Sequence, residues 1–152
     1  MVSPGELLVD CPAGCPAGWK YLNYKCYKKV TQPSTFATAR TGCLAESAQL
    51  VSINSFDEND ALRKAFDTNA LVDETQETWI GLQLTGSSWK WPDGSSLSYA
   101  NWAPTQPSSD TCVQMITDSM TNATYNYERG GWKTYDCAKL SAGYICEKWA
   151  SG

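Results

Sequence analysis

Seven cysteines in a chain of 152 residues constrain this sequence more than any other feature. Cytosolic chains rarely carry so many, and the count reads as a disulfide framework formed in an oxidising compartment. Cys11-Pro-Ala-Gly and Cys15-Pro-Ala-Gly are tandem copies of a turn-forming tetrad. The segment from Trp19 to Tyr27 alternates aromatic and polar residues, as a strand or hairpin does. Cys15 and Cys26 are close enough in sequence to staple that hairpin. Cys11 is then left over, either as a free thiol or as the bridge of a disulfide-linked dimer. Two thiols at Cys11 and Cys15, in a chain without a single His, make a poor zinc site.

The length suits one domain with a real core. A net charge of −4 offers no basic surface for nucleic acid or for an anionic membrane. No run of ~18 apolar residues is present, so nothing reads as a membrane span. Residues 1–10 have neither the basic start nor the apolar run of a signal peptide, so a secretion signal is expected to lie outside this chain. Asn122-Ala123-Thr124 is a glycosylation acceptor triplet, consistent with a secreted glycoprotein.

Along the chain, helices come first. Ser34 or Thr35 can cap a helix whose inward face is Phe36, Ala39, the stem of Arg40, Cys43 and Leu44. Leu50 to Ile53 reads as a short strand. Ser55-Phe-Asp-Glu58 is a capping-box pattern opening a second helix, with Leu62, Ala65 and Phe66 inward and acids in the first turn. Residues 67–77 read as a polar connector. Strands follow at 79–82, 112–116 and 144–147, and Trp89 to Gly94 is a hairpin turning at Pro-Asp-Gly. Helices before strands indicate α+β. Between Trp79 and Cys137 the chain devotes a long stretch rich in Ser, Gly, Pro and Trp to irregular loop, which usually presents a binding surface.

In this order, Cys15-Pro-Ala-Gly-Trp19, Cys26-Tyr27, Cys43, Trp79-Ile-Gly-Leu82, Trp91-Pro-Asp-Gly94, Asn101-Trp102, Cys112-Val113, Trp132 and Tyr144-Ile-Cys-Glu147 resemble the C-type lectin-like domain. The resemblance covers residues 15–148. It implies a fold of two helices flanking small antiparallel sheets with a long irregular loop. It divides the chain into an N-terminal extension (1–14), the domain (15–149) and a tail (150–152). It also implies the pairings Cys15–Cys26, Cys43–Cys146 and Cys112–Cys137. The middle one closes a loop of about 100 residues, worth roughly 4–5 kcal/mol in the chain-entropy model.

Sugar-binding members of that family hold calcium in the long loop, with acids or amides flanking a cis-proline, an acid before the third core cysteine, and an Asn-Asp pair after the tryptophan. Here these positions read Gln106-Pro107-Ser108, Asp110 and Lys133-Thr134. Calcium takes six to eight oxygens, several of them charged. Only Asp110 supplies a carboxylate, and Lys133 brings an ammonium towards the metal position. The expected ligand-binding residues are therefore Gln106, Ser108, Asp110, Lys133, Thr134 and Tyr135, with no metal and no other cofactor. A divergent calcium site on the remnants Gln106, Ser108 and Asp110 is the alternative. Lys133 either pairs with Asp110 or Asp136 or is solvated. Trp102 and Trp132 are expected in the core, while Tyr135 is either buried or exposed. The segment 117–131 is longer than the family usually shows. With Tyr125, Tyr127, Glu128 and Arg129 it is either an interaction loop or a plain surface hairpin.

Without His, and without a nucleophile elbow or a phosphate-cradling loop, catalysis is not expected. Two readings follow. One is an extracellular recognition domain that binds a glycan or protein without the usual calcium. The other is a calcium-dependent lectin with a divergent Gln-Pro-Ser site. A structural role as a dimer through Cys11 would be a third.

Overall fold

A computed structural model describes residues 14–68, 70–120 and 128–151. Cys11, Asn122, Tyr125 and Tyr127 lie outside the described residues. The chain opens with the hairpin β1 (Lys20–Leu22) and β2 (Lys25–Val30), turning through Asn23 and Tyr24 at φ 48° and 69°. Helix α1 (Phe36–Leu44) is capped by Thr35, whose hydroxyl accepts from the Thr38 N–H at 3.2 Å. Strand β3 (Gln49–Leu50) and helix α2 (Phe56–Phe66) follow. Ser55 caps α2 by accepting from the Glu58 N–H at 3.1 Å, leaving an orphan donor satisfied as a cap should.

The connector to the second half holds β4 (Leu71–Val72) and a 3₁₀ turn (Glu74–Gln76), so it is more ordered than a polar linker. Then come β5 (Thr78–Thr85), β6 (Ser88–Lys90), β7 (Cys112–Met115), β8 (Ser119–Met120), β9 (Trp132–Tyr135) and β10 (Gly143–Trp149). The main sheet runs β9-β7-β5-β10-β2-β1, with β3 on β10 and β6 on β5; β8 pairs β4 in a separate two-stranded ribbon. Only β5–β10 is a parallel pair within the main sheet. The fold is α+β, as the order of helices and strands indicates.

Two apolar clusters hold it. One joins Val51, Ile53, Leu62, Ile80, Val113 and Ile145 around Trp132. The other joins Phe36, Ala39, Leu50, Tyr135 and Tyr144 around Trp79, whose indole N–H donates to the Ser34 carbonyl at 2.8 Å. Three disulfides close the structure as Cys15–Cys26, Cys43–Cys146 and Cys112–Cys137, the pairing the resemblance implies. Gly81 is required where the Trp-Pro-Asp-Gly turn packs on β5. A Cβ there would sit 2.5 Å from Pro92 Cγ and 2.7 Å from the Val51 carbonyl oxygen.

Several expected inward positions are not inward. Leu44 is 61% exposed as the last residue of α1, whose buried face is Phe36, Ala39 and Cys43. Arg40 is exposed, with its guanidinium 6.0 Å from the Phe36 ring centroid rather than its stem in the core. Ala65 is exposed too, because Glu58 and Asn59 share the buried face of α2 with Leu62 and Phe66. The strand expected at 50–53 ends at Leu50. Residues 51–53 stay buried, held by Val51 N–H to the Ile145 carbonyl at 3.0 Å and by Gly81 N–H to the Val51 carbonyl at 2.9 Å.

Candidate functional site

The long loop is docked on β9 by its own backbone. Trp132 N–H donates to the Asn101 carbonyl and Ala103 N–H to the Trp132 carbonyl, both at 2.9 Å. Trp132 is fully buried and has Trp91, Tyr99 and Trp102 set edge-on against it, with centroids 5.4, 5.7 and 5.9 Å away. Edge-to-face pairs of this kind add to plain area burial. The Trp132 indole N–H reaches α2, donating to Asn59 at 2.8 Å, and the Asn59 amide donates to the Gly130 carbonyl at 3.0 Å. Trp102 is half-buried rather than fully in the core, leaning on Trp89 at 5.1 Å.

Beyond this base the Gln106–Pro107 peptide is cis, and Thr105 before it holds φ at 69°. A β-branched residue in that region is an outlier that the surroundings must enforce. What the turn rests on is Thr134 of β9, which is 2% exposed. Gln106 Oε1 accepts from the Thr134 N–H at 3.0 Å and from its hydroxyl at 3.1 Å. Ser108 N–H donates to Thr134 Oγ1 at 3.0 Å, and the two hydroxyls share a further short hydrogen bond. One hydroxyl offers one donor and two acceptor sites, and all three are used here. Thr134 thus ties both flanks of the proline to the sheet.

Lys133 is turned inward and is 4% exposed. Its ammonium donates to the Thr134 carbonyl at 2.8 Å and lies 5.1 Å from the Tyr135 ring centroid. Its described partners are a carbonyl and a ring, which replaces both the expected pairing with Asp110 or Asp136 and the solvated alternative. Tyr135 is buried, tilted against Trp79 at 5.7 Å. The Asp110 carboxylate is half-buried and takes no hydrogen bond or ion pair among the described residues. The structure therefore brings Gln106, Ser108 and Thr134 together, sets Lys133 and Tyr135 behind them, and leaves Asp110 apart from the hydrogen-bonded cluster.

This donor set does not fit calcium. The Gln106 and Ser108 side-chain oxygens are taken by Thr134, the remaining carboxylate is Asp110, and an ammonium lies in the same strand. Among the described residues no group of three His, Cys, Asp or Glu side chains is placed to hold a metal ion. A second polar centre joins β2, α2 and β10. Lys25 donates to Glu58 at 3.1 Å and to Glu147 at 3.0 Å, with Gln49 on Glu147 at 3.0 Å and the Tyr27 hydroxyl on Glu58. Burial alone would depress the Lys25 pKa, but the Glu147 and Glu58 carboxylates outweigh it and hold the ammonium above its ordinary value. A third feature, Glu77, is fully buried and accepts from the N–H groups of Thr117 and Asp118 at 3.0 and 3.2 Å. Its Oε2 has no partner, and burial pushes its pKa up to about 8 against the pull of those two N–H groups.

A family model described as the Lectin C-type domain matches residues 32–148. The chain belongs to the C-type lectin family. This lectin domain is 35% identical over 151 residues to the secretory phospholipase A2 receptor of Mus musculus, covering 90% of this chain and 10% of the receptor. The chain therefore spans about a tenth of the length of the curated relatives it matches first. It is similar to the cow carbohydrate-recognition domain of CD23, solved in the presence of a GlcNAc2Man3 oligosaccharide. That match has a TM-score of 0.76 and 27% identity over 92% of this chain and 99% of that one. A calcium-independent type II antifreeze protein matches with a TM-score of 0.71 and 27% identity, covering 91% and 97%. C-type lectin domains are binding modules and not enzymes, and they are typically extracellular. No helix among the described residues of this one is long and apolar enough to cross a membrane.

The roles of Asn59 and Glu77, and the burial of Glu58, are not apparent from the sequence pattern. The signal that could have found Asn59 is its place on the α2 face one turn before Leu62 and two before Phe66, where an amide must find a buried partner.

Proposed function

We propose that this lectin domain is an extracellular recognition module that binds a glycan or protein through the long loop without calcium at the Gln106-Pro107-Ser108 turn. The observation that carries the reading is the Thr134 cluster. A threonine hydroxyl and N–H already satisfy the oxygens that a metal would need, so the loop is held by neutral hydrogen bonds. Gln106, Ser108 and Asp110 form the rim through which a ligand would be met, with Thr134 buried beneath them and Lys133 and Tyr135 as the wall behind. Secretion and a glycan on Asn122 belong to the same proposal.

The test is the thermal midpoint in millimolar calcium and then in excess chelator. Calcium at 100 times its dissociation constant would stabilise by about 2.7 kcal/mol, a shift of roughly 5–10 °C for this size. The expected shift is nil. A shift of that size would overturn the reading in favour of a calcium-dependent lectin with a divergent site.

A further inference from the structure

The loop base and the residues leading into β9 enclose a cavity of about 250 Å³. Trp102, Ala103 and Pro104 form its apolar side, and Glu128 and Arg129 its charged side. The Trp102 ring is braced by Trp89 at 5.1 Å and by Trp132 at 5.9 Å, so it offers a preset face. The two charges are not equivalent. Arg129 is already paired with Asp67, whose carboxylate cancels the guanidinium. Glu128 is exposed, and its carboxylate takes no hydrogen bond or ion pair among the described residues. The wall therefore carries one uncompensated negative charge in company with an aromatic face.

We propose that this cavity seats one arginine side chain of a protein ligand. Charge selects a cation: an anionic group would meet the Glu128 carboxylate, and a neutral one would leave its charge uncompensated. The indole selects the guanidinium among cations. A planar, weakly hydrated guanidinium stacks on an aromatic face and forks onto a carboxylate, whereas an ammonium gives up more hydration to enter. The Asn101 amide, held by its bond to the Gly130 carbonyl at 2.8 Å, adds an oxygen acceptor to the wall. The volume lies just under the range usual for drug-sized ligands, which suits one side chain inserted from a partner's surface. A partner of this kind presents a basic patch to a chain whose own net charge is −4.

The seat rests on the calcium-free reading and takes its protein branch, and the test separates the two. The probe is Nα-acetyl-arginine amide, with the citrulline analogue as its neutral isostere and the lysine analogue as the rival cation. Binding is read by NMR titration of amide and indole N–H signals on the whole chain in excess chelator. The arginine probe binds more tightly than either analogue, and Glu128→Gln weakens it about fivefold, as loss of one exposed ion pair should. Trp102→Phe weakens it as well, because indole is the better partner for a cation. The thermal midpoint checks that each variant is folded. An analogue that binds as tightly as the arginine probe, or binding that Glu128→Gln leaves unchanged, overturns the seat and leaves the calcium-free reading standing. Absence of binding both in chelator and in calcium does the same. Binding of the arginine probe only after calcium is added overturns both.

Discussion

The two ends of the main sheet solve the same problem in opposite ways. At the end formed by β2, β10 and α2, polar groups from distant parts of the chain meet as full charges, with the Lys25 ammonium between Glu58 and Glu147. At the β9 end, the polar meeting point is neutral: one threonine hydroxyl between an amide and a serine. Charges taken out of water are costly unless all are paired, so the first end tolerates no loss of a member. A neutral cluster at a loop rim costs far less to open. The scaffold end is locked into one arrangement, and the loop end can be altered without unfolding the domain.

The disulfides carry the same contrast at the largest absolute cost. Cys43–Cys146 spans 103 residues of sequence and ties α1 to β10. Replacing both cysteines by serine is expected to cost about 4–5 kcal/mol, read as a large fall in the urea midpoint. Cys112–Cys137 spans 25 residues at the loop end, and its removal should cost about 1 kcal/mol less. Equal losses would erase the comparison. Next, Lys25→Met leaves two facing carboxylates unpaired, and about 3–5 kcal/mol of stability should go with it.

Glu77 adds a pH dependence between these extremes. Its folded pKa is raised from an ordinary value near 4.5 to about 8, so the folded state holds a proton that the unfolded state has released. Stability is therefore full below about pH 4.5 and falls as pH rises through about 8, by ~2–4 kcal/mol at most. Denaturant titrations at pH 5 and pH 8 measure it, and Glu77→Gln should flatten the slope. Smallest is Thr134→Val, which strands the Ser108 N–H while the backbone N–H of residue 134 still serves the Gln106 oxygen, and should cost about 1–2 kcal/mol. A drop as large as that of Lys25→Met would show that the loop end tolerates change no better than the scaffold end. Conversely, Lys133→Asn with Thr134→Asp removes the ammonium and adds a second carboxylate to the loop, and should create a calcium-dependent rise in the thermal midpoint.

What could be read from the chain followed the range of the interactions. The caps act over three residues: Ser55 was legible, and the first cap was narrowed to Ser34 or Thr35, of which the structure takes Thr35. The disulfide partners and the Trp79 core came through the family pattern. Glu58 was legible as a first-turn acid but not as a buried one, since its partners Lys25 and Tyr27 are 33 and 31 residues away. Leu44 and Ala65 were misplaced because periodicity fixes a stripe on a helix without saying where the sheet stops covering it. At the loop, the family pattern named candidate residues, but the way Gln106, Ser108 and Thr134 bond to one another was not legible. A Lys-Thr pair says nothing by itself of a hydroxyl that satisfies both flanks of a proline.

Gly14 and Ser151 pair as a short bridge, with the Ser151 N–H on the Gly14 carbonyl at 3.0 Å. Entry to and exit from the fold therefore share one point. In a longer polypeptide carrying such a domain, a pulling force would enter and leave at that point, and the domain would hang from it as a pendant. Tension would peel the Gly14–Ser151 contact and the hairpin beside it, where Cys15–Cys26 acts as a stop. The loop at the far edge of the sheet would carry no load and keep its shape.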